Sequence, residues 1–331
     1  MPEAIPGARA AIERLRLHPA LPLVTTPTPV HEMARLRAAL GGGPRLLIKR
    51  DDTIPFGFGG NKVRKLAFVA AQAVADGANA LVTTGGIQSN HARVTAAVAA
   101  TLGMRCVLIA NGVRQERPTA NALLDALLGA EVRYVSSREE RNAAIDQAAA
   151  QITAEGGTPC RIPLGASTPL GALGFARAVG EMLDQGPAPD VIVHASSSGG
   201  TQAGLLAGCA LHGLATRIVG VSPDDPAASI AGRVRDVVQG MAPLLGVDGA
   251  ALAGARPIEI DDTFIGDGYG VPSDASREAQ RLAAQREAIF VDNTYTAKAL
   301  AGLIAAVRAG RIPADATVLF WHTGGQVGIF A

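Results

Sequence analysis

The chain has 331 residues, 48% hydrophobic and 18% charged, with 30 lysines and arginines against 29 acids and a net charge of +1. That length accommodates two domains or one large one, and a near-even balance without a basic cluster argues against nucleic acid as the main partner. No run approaches the roughly 18–20 apolar residues of a membrane helix, and the first 30 residues lack the continuous apolar stretch of a secretory signal.

In chain order, Ala8–Ala38 reads as a leader containing the proline-rich link Pro19–Pro29. Short apolar runs then predict strands at Arg45–Arg50, Ala80–Thr84, Cys106–Ala110, Glu131–Val135, Val191–Ala195, Ile218–Val221, Phe290–Val291 and Thr317–Trp321. Between them, alanine-rich stretches predict helices at Ala67–Ala75, Ala92–Leu102, Thr119–Leu128, Arg138–Ala154, Gly171–Gln185, Gly204–Leu211, Ser273–Glu287 and Thr296–Ala306. Ser222–Thr263 is loosely patterned and takes no assignment. Alternating strands and helices imply an α/β fold with a mostly parallel sheet. Unbroken runs such as Val191–Val193 suit strands covered on both faces. Cys106, Cys160 and Cys209 each sit in apolar surroundings, so they read as buried thiols of a reducing, cytoplasmic setting and not as a disulfide frame.

Four segments carry chemistry. In Gly59–Leu66, Lys62 follows a Gly-Gly-Asn turn and shares a helical stripe with Leu66, Val69, Ala70 and Ala73. Burial lowers a lysine's pKa, and a desolvated lysine suits a Schiff base with a carbonyl cofactor such as pyridoxal 5′-phosphate (PLP). The plainer reading is a solvated basic first turn of Lys62, Arg64 and Lys65. Ser89, Asn90 and His91 lie between a strand and a helix, where they could hold a carboxylate or simply cap the helix. Ala195–Gly204 is a second strand–loop–helix passage, suited to phosphate or to a bare tight turn, and it is neither GxGxxG nor GxxxxGK[ST]. Near the end come Asn293–Thr296 and His322–Gly325. Tyr269 and Tyr295 lie in turns and favour a site, Tyr134 lies in a strand run and favours packing, and His322 reads as structural or catalytic. No metal-ligand spacing occurs.

Gly59–Leu66, Gly86–Arg93, Gly199–Gly204, Tyr269–Pro272, Tyr295–Gly302 and His322–Gly325, in this order, resemble the 1-aminocyclopropane-1-carboxylate deaminase / D-cysteine desulfhydrase family. Those are PLP enzymes of fold type II, the tryptophan synthase β fold. The resemblance implies two domains, each an open twisted sheet flanked by helices: a larger one of residues 1–66 and 168–331, and a smaller inserted one of 67–167, with PLP in the cleft. It implies Lys62 as the Schiff-base lysine, Asn90 on the PLP 3′-oxygen, and Ser198, Gly199, Gly200 and Thr201 around the phosphate with Lys65 close by. Ser89, Asn90 and His91 would bind substrate, Ser89 also acting near its α-carbon, while Tyr269 and Tyr295 line the pocket over the ring. Thr296 and Thr323 stand where deaminases resemble Glu and Leu, so the chain is similar to the desulfhydrase branch, with Thr323 expected at the ring nitrogen. The implied reaction is α,β-elimination from a small amino acid, D-cysteine to pyruvate, hydrogen sulfide and ammonia, by a homodimer. Ring-opening deamination of aminocyclopropane carboxylate, sulfite elimination from cysteate, and a non-catalytic PLP or amino-acid binder are the alternatives. Thr53–Phe58 is bulkier than either branch suggests, and would alter the substrate if it reached the pocket.

Overall fold

The computed structural model describes residues 5–331. Its strands are β1 (Val30–Glu32), β2 (Arg45–Arg50), β3 (Ala80–Gly86), β4 (Arg105–Asn111), β5 (Glu131–Val135), β6 (Pro159–Arg161), β7 (Val191–Ala195), β8 (Arg217–Val221), β9 (Glu259–Asp261) and β10 (Thr317–His322). The helices are α1 (Ala8–Leu17), α2 (Ala34–Ala39), α3 (Asn61–Ala75), α4 (Asn90–Leu102), α5 (Ala120–Leu127) and α6 (Arg141–Ala154). They continue with α7 (Pro169–Leu183), α8 (Gly200–Leu211), α9 (Ala227–Leu245), α10 (Gly249–Gly254), α11 (Asp274–Glu287) and α12 (Thr296–Arg308).

Two sheets result. One runs β1-β2-β10-β7-β8-β9, parallel except where β1 meets β2, and the other runs β5-β4-β3-β6, parallel throughout. Strands covered on both faces need no polar alternation, and all five residues of β7 are buried. The central helices pack closely because small residues let their backbones meet. A Cβ on Gly174 of α7 would lie 2.3 Å from the Arg64 carbonyl oxygen of α3, so only glycine permits that contact.

Several expectations change. Phe290–Val291 is a connector and not a strand: Phe290 is exposed, and its carbonyl accepts from His322 Nε2 at 3.0 Å. Tyr134 does not pack inside, because β5 is an edge strand with an open face, and the ring is exposed. The supposed leader holds α1, β1 and α2, with Ala11 and Leu15 in the core. The unassigned stretch contains α9, whose buried stripe is Ile230, Val234, Val237, Val238, Met241 and Leu245. Cys106 and Cys209 are buried, whereas Cys160 on the edge strand β6 is partly exposed.

Candidate active site

A cavity of about 380 Å³ opens where β3, β7 and β10 deliver their carboxyl ends, the usual ligand position in open α/β sheets. Its floor begins with α3. Gly60 enters that helix at φ 96°, and a Cβ there would sit 3.0 Å from the Thr323 carbonyl oxygen, so glycine is required. Asn61 then donates its backbone N–H to that oxygen (3.0 Å) and its side-chain amide to Thr201 Oγ1 (2.9 Å). One helix start is thereby tied to the ends of β10 and α8.

Lys62 lines the cavity. Burial lowers its amine to about 8, so an appreciable neutral fraction exists near physiological pH. Lys65, one turn on, is fully buried and donates to Gly165 O (3.1 Å) and Ser167 Oγ (3.0 Å). Burial first, and Lys62 second, push its pKa well down. Arg64 is buried too, which removes the reading of a solvated basic turn. Its guanidinium binds Asp51 in two places (2.8 and 2.9 Å) and Glu181 (2.8 Å), while Lys49 reaches Glu181 at 2.6 Å and Trp321 Nε1 reaches Asp51 at 2.8 Å. Burial opposes the Arg64 charge, but the two carboxylates outweigh it and raise its pKa.

The loop before α8 lies beside Lys65. Ser198 Oγ is 2.7 Å from Ser167 Oγ, which also accepts from the Gly200 N–H at 3.3 Å. Ser167, Ser198, Gly199 and Thr201 line the cavity at the start of α8, a helix end that favours an anion. Ser89 is the N-cap of α4, its oxygen accepting from the Ala92 N–H at 3.2 Å, while its side chain remains on the cavity wall. Asn90 Oδ1 accepts from Arg93 (3.1 Å) and Asn121 (3.0 Å). Thr83 gives its hydroxyl proton to Ile162 O (2.7 Å) and therefore accepts from His91 Nε2 (2.8 Å). This bonding puts the His91 proton on Nε2 and leaves Nδ1 a buried acceptor without a partner.

Tyr269 and Tyr295 meet edge to face, ring centroids 5.7 Å apart and hydroxyls at 2.5 Å. Burial raises both pKa values, so both are neutral phenols. Asp292 sets Tyr295 by accepting from the N–H groups of Thr294, Tyr295 and Thr296. Lys298 sets the Tyr269 loop, its ammonium donating to the carbonyls of Gly268 (2.7 Å), Ile265 (2.7 Å) and Pro223 (3.1 Å). Thr323 lines the cavity. Thr296 does not: its hydroxyl donates to Asp292 at 2.7 Å within the cap of α12, so it cannot act on a bound ring. His322 is structural, held by Phe290 O and the Gly324 N–H. The bulky approach to the lysine also stays out of the cavity, with Ile54 in the core and Phe58 exposed at 59%.

Ser167, Arg138, Arg141, Asp224 and Arg233 line the cavity and were not anticipated. Arg138 and Arg141 follow the carboxyl end of β5, and that position is the signal that could have found them. A second hollow, about 690 Å³ between β3, β4 and α5, holds no lysine among its lining residues. In the first cavity, the orphaned Ser196 Oγ, the two neighbouring lysines and the α8 start together fit a phosphorylated aldehyde.

The family model described as "Pyridoxal-phosphate dependent enzyme" matches residues 21–324. The D-cysteine desulfhydrase of Klebsiella pneumoniae subsp. pneumoniae is 38% identical over 329 residues, 97% of this chain and 98% of that one. That of Serratia proteamaculans is 37% identical, covering 96% and 97%. A solved ACC deaminase homologue superposes with TM-score 0.89 at 33% identity, covering 97% of this chain and 96% of that one. A solved fungal L-serine ammonia-lyase from Rhizomucor miehei, at TM-score 0.68 and 17% identity over 92% of this chain and 95% of that one, shares the fold. Fold, cavity chemistry and near-full-length similarity agree, and the chain belongs to the pyridoxal-phosphate dependent enzymes, with fold type II architecture.

Proposed function

We propose that the protein is a lyase that performs α,β-elimination on a small β-substituted amino acid, in the simplest case D-cysteine to pyruvate, hydrogen sulfide and ammonia. The observation that carries this reading is Lys62, a lysine with its pKa brought to about 8, in one cavity with a phosphate-sized donor set and two neutral tyrosines. Full-length similarity to enzymes named D-cysteine desulfhydrase supports it.

In this reading Lys65, Ser198, Gly199, Gly200 and Thr201 hold the cofactor phosphate. A phosphate dianion beside Lys65 also offsets the burial that lowers its pKa, keeping that ammonium charged. Asn90 faces the 3′-oxygen and Thr323 the ring nitrogen. A threonine offers only a neutral hydrogen bond, which suits elimination of a good leaving group. The cofactor, when bound, supplies an electron sink for the pair left at Cα. Lys62 Nζ removes the Cα proton. The Ser89 hydroxyl and the backbone N–H groups of Asn90 and His91 hold the substrate carboxylate at the start of α4, and the Tyr269–Tyr295 pair can pass a proton between hydroxyls to the departing group.

We further propose that the cavity lies between a larger domain, 1–66 with 168–331, and a smaller one, 67–167. All four strands of the second sheet fall inside the latter range. A homodimer in the cytoplasm completes the proposal, in keeping with three free cysteines. Among the described residues no helix is long and apolar enough to cross a membrane.

The test is a visible spectrum of the purified protein followed by assays for pyruvate and sulfide from D-cysteine and for 2-oxobutanoate from aminocyclopropane carboxylate. Pyruvate with sulfide is expected. 2-Oxobutanoate alone would make the protein a deaminase, and no cofactor band after adding PLP would remove the whole reading.

A further inference from the structure

We infer that the cavity is built for an amino acid whose β-substituent is already anionic, bound by Arg141 with Arg138 at the entrance. This rests on the elimination proposed above and narrows its substrate class.

Five cationic side chains, Lys62, Lys65, Arg138, Arg141 and Arg233, face only two carboxylates in the cavity wall, Asp224 and Asp225. The carboxylates are engaged. Asp225 binds Arg233 at 2.5 Å, and Asp224 lies 3.6 Å from Arg138 and accepts from Ser197 Oγ at 3.3 Å. Lys65 and Lys62 belong to the phosphate and the aldehyde. Arg141 remains: it reaches only the neutral Asn111 side chain, and its buried Nε has no acceptor. Its neighbours Glu139 and Glu140 are exposed and do not line the cavity.

Its placement is locally unfavourable. Arg141 is the first residue of α6 and Arg138 lies three residues before, whereas a helix start favours anions and disfavours cations. A sequence that breaks a local rule at the wall of a cavity points to a ligand. The two guanidiniums sit beside the tyrosine pair, Arg138 lying 5.2 Å from the Tyr269 ring centroid. That leaves the substrate carboxylate to the separate start of α4. A sulfonate or phosphate ester on Cβ offers the paired oxygens a guanidinium binds best.

For cysteate the balance is simple. The Cα–H bond breaks with its proton going to Lys62 Nζ, and the C–S bond breaks with its pair leaving on sulfite. Overall, cysteate and water give pyruvate, ammonium and hydrogensulfite.

The test compares the holoenzyme with Arg141→Gln and Arg141→Lys, using both cysteate enantiomers, O-phosphoserine and neutral β-chloro-D-alanine. In Arg141→Gln, KM for the anionic substrates should rise about 10- to 100-fold more than for β-chloro-D-alanine, the range of one charge-assisted hydrogen bond. Arg141→Lys should restore part of it. Calorimetry with 3-sulfopropanoate, which lacks the amine and cannot react, should show binding that the Gln variant loses. Equal losses on all substrates would overturn the inference by making Arg141 a carboxylate or structural residue. Wild-type turnover of β-chloro-D-alanine with neither turnover nor binding of the anionic set would also overturn it, leaving the elimination intact. No turnover of anything would instead sink the elimination itself.

Discussion

The two helix starts that line the cavity at α3 and α6 are held very differently. Behind Asn61 and Lys62, which line the cavity, α3 is buried from Val63 on, and Arg64 moors it to Asp51 and Glu181. The first turn of α6 stands at the rim, with Arg138 exposed and Arg141 attached only to a neutral amide. The chemistry common to the family needs a lysine fixed to within a fraction of an ångström, which only a supported side chain provides. Choosing among substrates needs only a rim residue that can change without unfolding the molecule. On the proposed reading, this contrast gives reaction type to the moored helix start and substrate preference to the rim.

The largest expected effect is on the moored side. Lys62→Ala should abolish the visible cofactor band and lower turnover by more than about 10⁴-fold, measured by spectroscopy and pyruvate release. Retained turnover would mean the nucleophile lies elsewhere. Next, Asp51→Ala leaves the buried Arg64 with Glu181 alone and Trp321 Nε1 without its acceptor, and should destabilise the protein by about 3–5 kcal/mol in denaturant titrations. The same truncation on the rim, Asn111→Ala, should cost far less, and equal costs would erase the distinction between the two sides.

Acid should also loosen the mooring. Burial opposes the Glu181 charge, but Arg64 and Lys49 outweigh it and hold the carboxyl at about 2, against an ordinary 4.5. A depressed pKa means the stabilisation is complete above about 4.5 and is lost as pH falls towards 2. Glu181→Gln should be less stable at neutral pH, with a shallower acid dependence; an unchanged slope would dismiss the network as the cause. The smallest effect is expected at Thr323→Ala, which should keep the cofactor, shift its absorbance and change kcat by less than about tenfold. An unaltered spectrum would show that the ring nitrogen faces another group.

Much of this was legible in the residues because the relevant signals are local. Gly59–Leu66, Ser89–His91 and Ser198–Thr201 are each a strand or turn feeding a helix, and apolar runs such as Val191–Ala195 became strands with the expected bounds. Long-range partners were not legible. Nothing near Lys298 announces that its ammonium will meet carbonyls 30 to 75 positions away, and Ser167 reaches Lys65 across 102 positions. Helix α9 was hidden by its own composition, since Gly232, Gly240 and Pro243 depress helix propensity while packing retains it. Thr296 misled for a related reason: its neighbour lines the site, yet the hydroxyl is consumed by a cap.

The anchor at Lys298 has an evolutionary corollary. It grips the Tyr269 loop only through peptide oxygens, so the hold depends on the course of the backbone and not on which side chains the loop carries. Mutation can therefore rewrite the non-glycine positions of that segment without releasing it, while Gly266, Gly268 and Gly270, at φ 62°, 129° and 76°, must stay to keep the backbone course that the ammonium grips.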